Sequence, residues 1–201
     1  MKKIIDSILV LLPLIFITLV VFDNVSDFDK GLDAAKKGDY KTALNEFFPL
    51  AQQGDSVAQF MLGVMYVNGE GVIQDDKQAV HWYRKAAEQG YASAQHELGI
   101  MYTHGRGVIQ DDKQAMHWYR KASEQGNTSA QFMLGSGYAD GKGVVQDYKK
   151  SYMWFDLAKR DGDENTKVGL DYISGLMTPD EIAQAQNASR VCLESNYKKC
   201  D

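Results

Sequence analysis

The sequence predicts an all-α fold, a solenoid of stacked helix pairs, and three observations carry the prediction. The stretch GEGVIQDDKQAVHWYRKAAEQG from Gly69 to Gly90 returns as GRGVIQDDKQAMHWYRKASEQG from Gly105 to Gly126, and more loosely from Gly141 to Gly162. The offset is 36 residues each time, so Trp82, Trp118 and Trp154 share one structural position, as do Gly63, Gly99 and Gly135. Aligning Ser56 to Tyr91 with Ala92 to Asn127 gives 25 identities in 36 positions, beyond what shared composition produces. A period of about 20 to 50 residues marks units that cannot bury an apolar face alone and must lean on neighbours.

Within each unit the first helix is expected from about Asp55 to Val67, with Ala58, Leu62, Met65 and Tyr66 as its buried stripe. Glycine inside a helix costs about 1 kcal/mol relative to alanine. The return of Gly63 as Gly99 and Gly135 therefore calls for a packing reason, a missing side chain that admits a neighbouring helix. The loop Asn68-Gly69-Glu70-Gly71 needs positive φ values. Val72 and Ile73, repeated as Val108-Ile109 and Val144-Val145, are expected to anchor that loop to the core. The second helix opens at Asp75, whose carboxylate suits the first free amides, with Gln78 as the other half of a box-like cap. Ala79, Trp82, Tyr83 and Ala86 then form an i, i+3, i+4, i+7 face, and Gly90 suits a left-handed stop. The same reading holds from Asp111 to Gly126 and from Asp147 to Gly162.

Ahead of the repeats an entry unit is expected, with helices at about 28–37 and 39–53. Its Ala43, Phe47, Ala51 and Gly54 keep the register of Ala79, Tyr83, Ala87 and Gly90. Behind them Leu170 keeps the register of Leu62, but Asp171 replaces the glycine. Thr178-Pro179-Asp180-Glu181 reads as a helix start. The helix to about Glu194 is expected to bury Ile182, Ala185, Ser189 and Cys192 and close the open end of the stack. The organisation is thus 1–22 as a leader, 23–55 as entry unit, 56–91, 92–127 and 128–163 as repeats, and 164–201 as capping helices with a cysteine tail.

The net charge of -5 comes from 22 basic and 27 acidic residues; without the leader, which holds Lys2, Lys3 and Asp6, it becomes 20 against 26, or -6. An acidic body argues against nucleic acid, whose phosphates need clustered Lys and Arg. Lys2 and Lys3 precede an apolar run from Ile8 to Phe22, broken only by Pro13 and Thr18 and followed by Asp23, Asn24, Asp27 and Asp29. This is an export signal. Its length falls between a signal-peptide core and a membrane span, and no A-x-A-like pair stands near residues 19–27, so a cleaved signal peptide and a transmembrane anchor both stay open. Either way the rest of the chain is expected in the periplasm, touching the inner membrane only through this N-terminal hydrophobic helix. Cys192 and Cys200 are the only cysteines. A continuous helix would hold them about 12 Å apart, too far to bridge, whereas a helix stop at Ser195-Asn196 permits a disulfide in an oxidising compartment. Two unrelated thiols on a frayed tail are the alternative.

The pattern A-Q-x-x-L-G-x-x-Y-x-x-G-x-G-V-x-x-D, continued by A-x-x-W-Y-x-K-A-x-x-Q-G, is carried by Ala58 to Gly90 and by Ala94 to Gly126. It resembles the Sel1-like repeat family, relatives of the tetratricopeptide repeats. The third copy departs at Ser151, Phe155 and Arg160. The resemblance spans roughly Phe28 to Cys200 and implies a right-handed α/α superhelix that binds a peptide or partner protein on its concave face, without catalysis or cofactor. A cysteine-rich branch of the family has been linked to penicillin binding, so a β-lactam-binding or β-lactamase-like hydrolase is the alternative. Ser195-Asn196-Tyr197-Lys198 satisfies S-x-x-K, but neither S-D-N nor K-T-G accompanies it, and the branch's cysteine pairs inside the repeats are missing here. An immunity or antidote-type binding protein is a further alternative.

Other chemistry is sparse. His81 and His117 occupy one repeat position beside tryptophans and read as packing or surface groups. His96 and His104 share a face but lie about 12 Å apart, too far for a common metal without further ligands. Asp75-Asp76 and Asp111-Asp112 stand at helix starts, where capping and the helix dipole account for them better than calcium does. If the first helices line the inner surface, as the resemblance implies, the partner-binding slots are those interleaved with the Leu-Gly-Tyr core. They read Val57, Phe60, Val64, Val67 and Asn68 in the first repeat, Ser93, His96, Ile100, Thr103 and His104 in the second, and Ser129, Phe132, Ser136, Ala139 and Asp140 in the third. They differ most between repeats, and their apolar character with a few polar groups suits a peptide or helix better than a charged ligand.

Overall fold

The computed structural model describes residues 27–161 and 164–200, and every regular element among them is helical. The leader therefore lies outside the described residues, as does the stop at Gly162. The helices are α1 (27–36), α2 (Tyr40–Gln52), α3 (Ser56–Asn68), α4 (Asp76–Glu88), α5 (Ala92–His104), α6 (Asp112–Ser123), α7 (Thr128–Asp140), α8 (Tyr148–Ala158), α9 (Glu164–Ser174) and α10 (Pro179–Glu194). A short 3₁₀ turn, Lys159–Asp161, follows α8. None of them is long and apolar enough to cross a membrane. The chain divides into two compact units between Gln74 and Asp75.

In the first unit α2 packs on α3. Asp39 caps α2 by accepting from the Thr42 amide at 3.2 Å, and the hydrogen bonds from Thr42 hold the Asp39 carboxyl below its ordinary pKa. A Cβ on Gly31 would stand 2.7 Å from the Phe47 ring, so the missing side chain lets α1 and α2 meet there. Phe47 and Ala43 are fully buried.

In the second unit α4 packs on α5, α5 on α6, α6 on α7 and α7 on α8, in sequence order. Trp82, Trp118 and Trp154 are buried at 6%, 8% and 0% exposure, as the i, i+3, i+4, i+7 face requires. Each pair closes through an aromatic ring over a glycine. A Cβ on Gly99 would lie 2.5 Å from Tyr119, and one on Gly135 2.6 Å from Phe155. The buried glutamines add a second device that the apolar pattern does not announce. Gln95 donates from Nε2 to the Ala87 carbonyl at 3.0 Å, pinning the start of α5 to the end of α4, and Gln59 does the same to Ala51 in the first unit. Each of these carbonyls also accepts a backbone amide, from Gly90 at Ala87 and from Gly54 at Ala51, so the glutamine takes the remaining acceptor capacity and ties the two helices together.

The caps follow the expected aspartates. Asp75, Asp111 and Asp147 each accept from backbone amides in the next turn, at 2.9 to 3.1 Å. The box at Gln78 is a correction: among the described helices the reciprocal bond forms only at Thr178 and Glu181, because glutamate brings a charged acceptor to the cap amide. The loop anchors need correcting too. Val144 packs against the core, but Ile73, Ile109 and Val145 are 91%, 90% and 87% exposed. Only the first residue of each pair turns inward; the second precedes the capping aspartate by two residues and points to water.

The end of the chain differs from a simple cap. Ala185, Ser189 and Cys192 of α10 are buried, Ile182 is half-buried, and α10 packs on α8 instead of forming a hairpin with α9. Beyond Glu194, Asn196 and Tyr197 adopt left-handed φ values of 52° and 62°, which reverse the chain and bring Cys200 back to Cys192. The two cysteines form a disulfide with Cα atoms 4.6 Å apart, which removes the alternative of unrelated thiols. The closed loop places the Tyr197 ring over Gly126, where its hydroxyl accepts from Arg160 Nη1 at 3.2 Å. Reducing this disulfide is expected to lower stability by about 2–3 kcal/mol, the loop-closure contribution for a ring of this size. A urea titration with and without a phosphine reductant measures it, and unchanged midpoints would show that the tail contributes nothing.

Candidate functional site

The proposed slots sit on the first helix of each pair, between the buried positions and the solvent. On α3, Val57, Phe60, Val64 and Val67 are half-buried and Asn68 is exposed. On α5, Ser93, His96, Ile100 and Thr103 are half-buried and His104 is exposed; on α7, Phe132, Ser136 and Ala139 are half-buried and Ser129 and Asp140 are exposed. In the second unit α5 and α7 bring some of these together. His96, Ser129 and Phe132 line one cleft of about 370 Å³ with Met133, Asn165 and Thr166. Thr103, Ser136 and Asp140 line a smaller one of about 100 Å³ with Met116 and Tyr119. Ser93 and His104 line neither, while Ile100 and Ala139 pack against core clusters.

Several slots also hold their own helix pair together. The His96 ring packs on Tyr119 with centroids 5.9 Å apart, and Phe132 packs on Phe155 at 5.4 Å. The Thr103 hydroxyl donates to the Gly99 carbonyl at 3.0 Å and lies 2.9 Å from the Tyr119 hydroxyl. Burial pushes the Tyr119 phenol up to about 12, so it stays protonated and available as a hydrogen-bonding group at any physiological pH. The cleft thus has a rigid aromatic wall and a rim of small polar groups, a composition that suits an inserted apolar side chain with backbone hydrogen bonds around it.

Charge around the repeats is spent on structure. Asp76 takes Arg106 in a two-pronged ion pair, at 2.8 and 3.1 Å, joining the start of α4 to the loop after α5. The second aspartate of the pair Asp75-Asp76 is therefore an anchor as well as a dipole partner, which neighbouring residues in the sequence could not reveal. His81 and His117 are exposed and stand edge-on to Trp82 and Trp118, with centroids 5.2 and 5.3 Å apart. Among the described residues no three His, Cys, Asp or Glu side chains gather as a metal site. The Ser195 hydroxyl donates to the Cys192 carbonyl at 2.8 Å and accepts the Lys199 amide at 3.0 Å, bonds to backbone groups that shape the tail turn.

Residues the sequence reading passed over belong to α9. Adding 108, three repeats of 36, to Val57, Phe60 and Val64 gives Asn165, Val168 and Tyr172, the same slots one pair further on. Asn165 lines the larger cleft, and Val168 and Tyr172 are 61% and 66% exposed. The register of Leu170 with Leu62 was the available signal.

The helix pairs and their aromatic-over-glycine closures define a helical-repeat protein of the tetratricopeptide-like class. A model of the Sel1 repeat matches residues 56–91, 92–127 and 128–163, and the chain belongs to the Sel1 repeat family. No curated protein matches it. Among solved structures it is similar to a Sel1 repeat protein from Oxalobacter formigenes, at 34% identity and a TM-score of 0.67 over 70% of this chain and 58% of that one. It is also similar to c5321, described as a protective antigen present in uropathogenic Escherichia coli strains and displaying an SLR fold. That match has 35% identity and a TM-score of 0.74 over 88% of this chain and 38% of that one. Cysteine-rich protein B of Helicobacter pylori matches at 26% identity and a TM-score of 0.51, over 63% of this chain and 93% of that one. The chain spans well under two thirds of the length of the first two. Sel1 repeat proteins are generally non-catalytic scaffolds that mediate protein–protein interaction.

Proposed function

We propose that this chain is an exported, non-catalytic adaptor that holds a peptide or partner protein along the first helices of its repeats. The observation that carries the reading is the convergence of His96, Ser129 and Phe132 on one cleft with an aromatic wall; they come from two repeat positions, Phe60-His96-Phe132 and Val57-Ser93-Ser129, that vary between repeats. Positions needed only for stacking recur in each repeat, as Leu98 and Leu134 do, whereas positions that meet a particular partner need not. The apolar run behind Lys2 and Lys3 supports delivery across the inner membrane, with the body either tethered there or released into the periplasm. The Cys192–Cys200 disulfide agrees with an oxidising compartment.

The test is affinity capture from cell-envelope extract with the tagged chain and with Ser129→Arg, which fills the cleft mouth from an exposed position. A partner retained by the parent and reduced at least about tenfold by the arginine supports the reading. Identical capture by both chains would sink it. Labelled penicillin provides the opposing arm: a covalent band that disappears in Ser195→Ala would make the protein a β-lactam-reactive enzyme.

A further inference from the structure

We propose that the outer face of α9 docks an amphipathic helix of a partner protein carrying a basic side chain opposite Asp171. The site goes beyond the cleft and stands or falls on α9 alone. In each complete pair of the second unit the second helix covers the first: Tyr119 lies over Gly99, and Phe155 over Gly135. The helix α9 begins a further pair in the same register. Its Thr166 and Leu170 repeat Ala130 and Leu134, and Thr166 and Ile173 are buried at 1% and 0% exposure. Its own second helix never arrives, because α10 packs on α8.

What stays uncovered is an apolar row. Val168 and Tyr172, one helical turn apart on α9, are 61% and 66% exposed, and Leu176, 47% exposed, follows in the turn just past the end of the helix. Two large apolar groups at i and i+4, extended by a third at the end of the helix, offer anchors to a helix laid alongside. The charge pattern says which helix. Where α5 and α7 carry glycine, α9 carries Asp171, exposed and ion-paired with no described cation, while the neighbouring Lys167 faces Glu164 at 3.6 Å. The ring that seats over Gly99 or Gly135 has no room over an aspartate, and would strip its carboxylate of water without compensation. A lysine or arginine at that place supplies the missing partner. The occupant is thus a helix patterned like α6 and α8 but basic where they are aromatic.

The probe is a synthetic peptide with the sequence Asp111 to Gln125, used as it stands and with Tyr119→Lys, titrated against the full chain by fluorescence anisotropy. The lysine peptide is expected to bind about tenfold more tightly than the parent peptide. Asp171→Asn in the protein should erase that preference, and Tyr172→Glu should abolish binding of both peptides, with circular dichroism confirming that each variant remains folded. Ser129→Arg should leave peptide binding unchanged, which separates this site from the cleft. Equal affinity for the two peptides, no binding of either, or a lysine preference that survives Asp171→Asn would overturn the proposal. Sedimentation of the full chain provides the remaining arm: self-association abolished by Tyr172→Glu would assign the face to a second copy and overturn it equally.

Discussion

Gly107→Ala is expected to destabilise the second unit by about 2–5 kcal/mol. Two costs add at this position. Gly107 sits at φ +67°, where an L-residue pays roughly 1–2 kcal/mol. Its Cβ would also stand 2.2 Å from the carbonyl oxygen and 2.4 Å from the carbonyl carbon of Asp76, and overpacking adds about 1–3 kcal/mol. Asp76 cannot yield cheaply, because it is the first residue of α4, the helix that Asp75 caps. Moving the loop away would in turn break the Arg106 pair with Asp76. At roughly 2–4 °C per kcal/mol for a chain of this size, the thermal midpoint should fall by about 4–20 °C. Gly90→Ala is the control: at φ +93° with nothing within 4 Å of its Cβ, it carries the strain without the clash and should lose only the smaller part. Equal losses for the two variants would mean that the loop can lift off α4 freely.

Trp154→Ala is expected to cost about 3–5 kcal/mol, the range for a large aromatic side chain removed from a packed core. Trp154 is fully buried in a cluster with Leu134, Tyr138, Leu157 and Cys192, so truncation opens a cavity between the third repeat and the disulfide-bonded tail. Trp154→Phe should lose much less. The indole N–H meets no acceptor among the described residues, so its removal breaks no hydrogen bond and the cost is one of volume alone. Chemical denaturation of the two variants reads the contrast directly. A phenylalanine as damaging as alanine would show that the indole contributes through more than its buried apolar surface.

Much of this architecture was legible because repetition multiplies weak signals. One Trp-Tyr pair at helical spacing says little, but Trp82, Trp118 and Trp154 at one offset identify a buried face, and the structure buries all three. The caps at Asp75, Asp111 and Asp147 were readable because capping is local, within reach of the next turn. What escaped depends on distant neighbours. Nothing beside Ile109 or Val145 distinguishes them from Val108 or Val144, since a loop residue faces core or water according to where the next helix lies. The slots on α9 escaped for a different reason: Asp171 interrupts the motif, and an interrupted motif hides a register that Leu170 still keeps. Of the candidate site, the positions could be read from the period, while the grouping of His96, Ser129 and Phe132 into one cleft could not.

The amino-acid order by itself determined the helices of the entry unit and of the repeats, and α10, with boundaries to within a residue or two, because propensity, capping and periodicity act over a few residues. Only the tertiary structure decided what each recurring glycine is for, since its φ is a local matter while the Asp76 carbonyl beside Gly107 comes from 31 positions away. It likewise decided that α10 turns back onto α8, where burial of Ala185, Ser189 and Cys192 and closure of the disulfide hold it, and so left the outer face of α9 to meet something else.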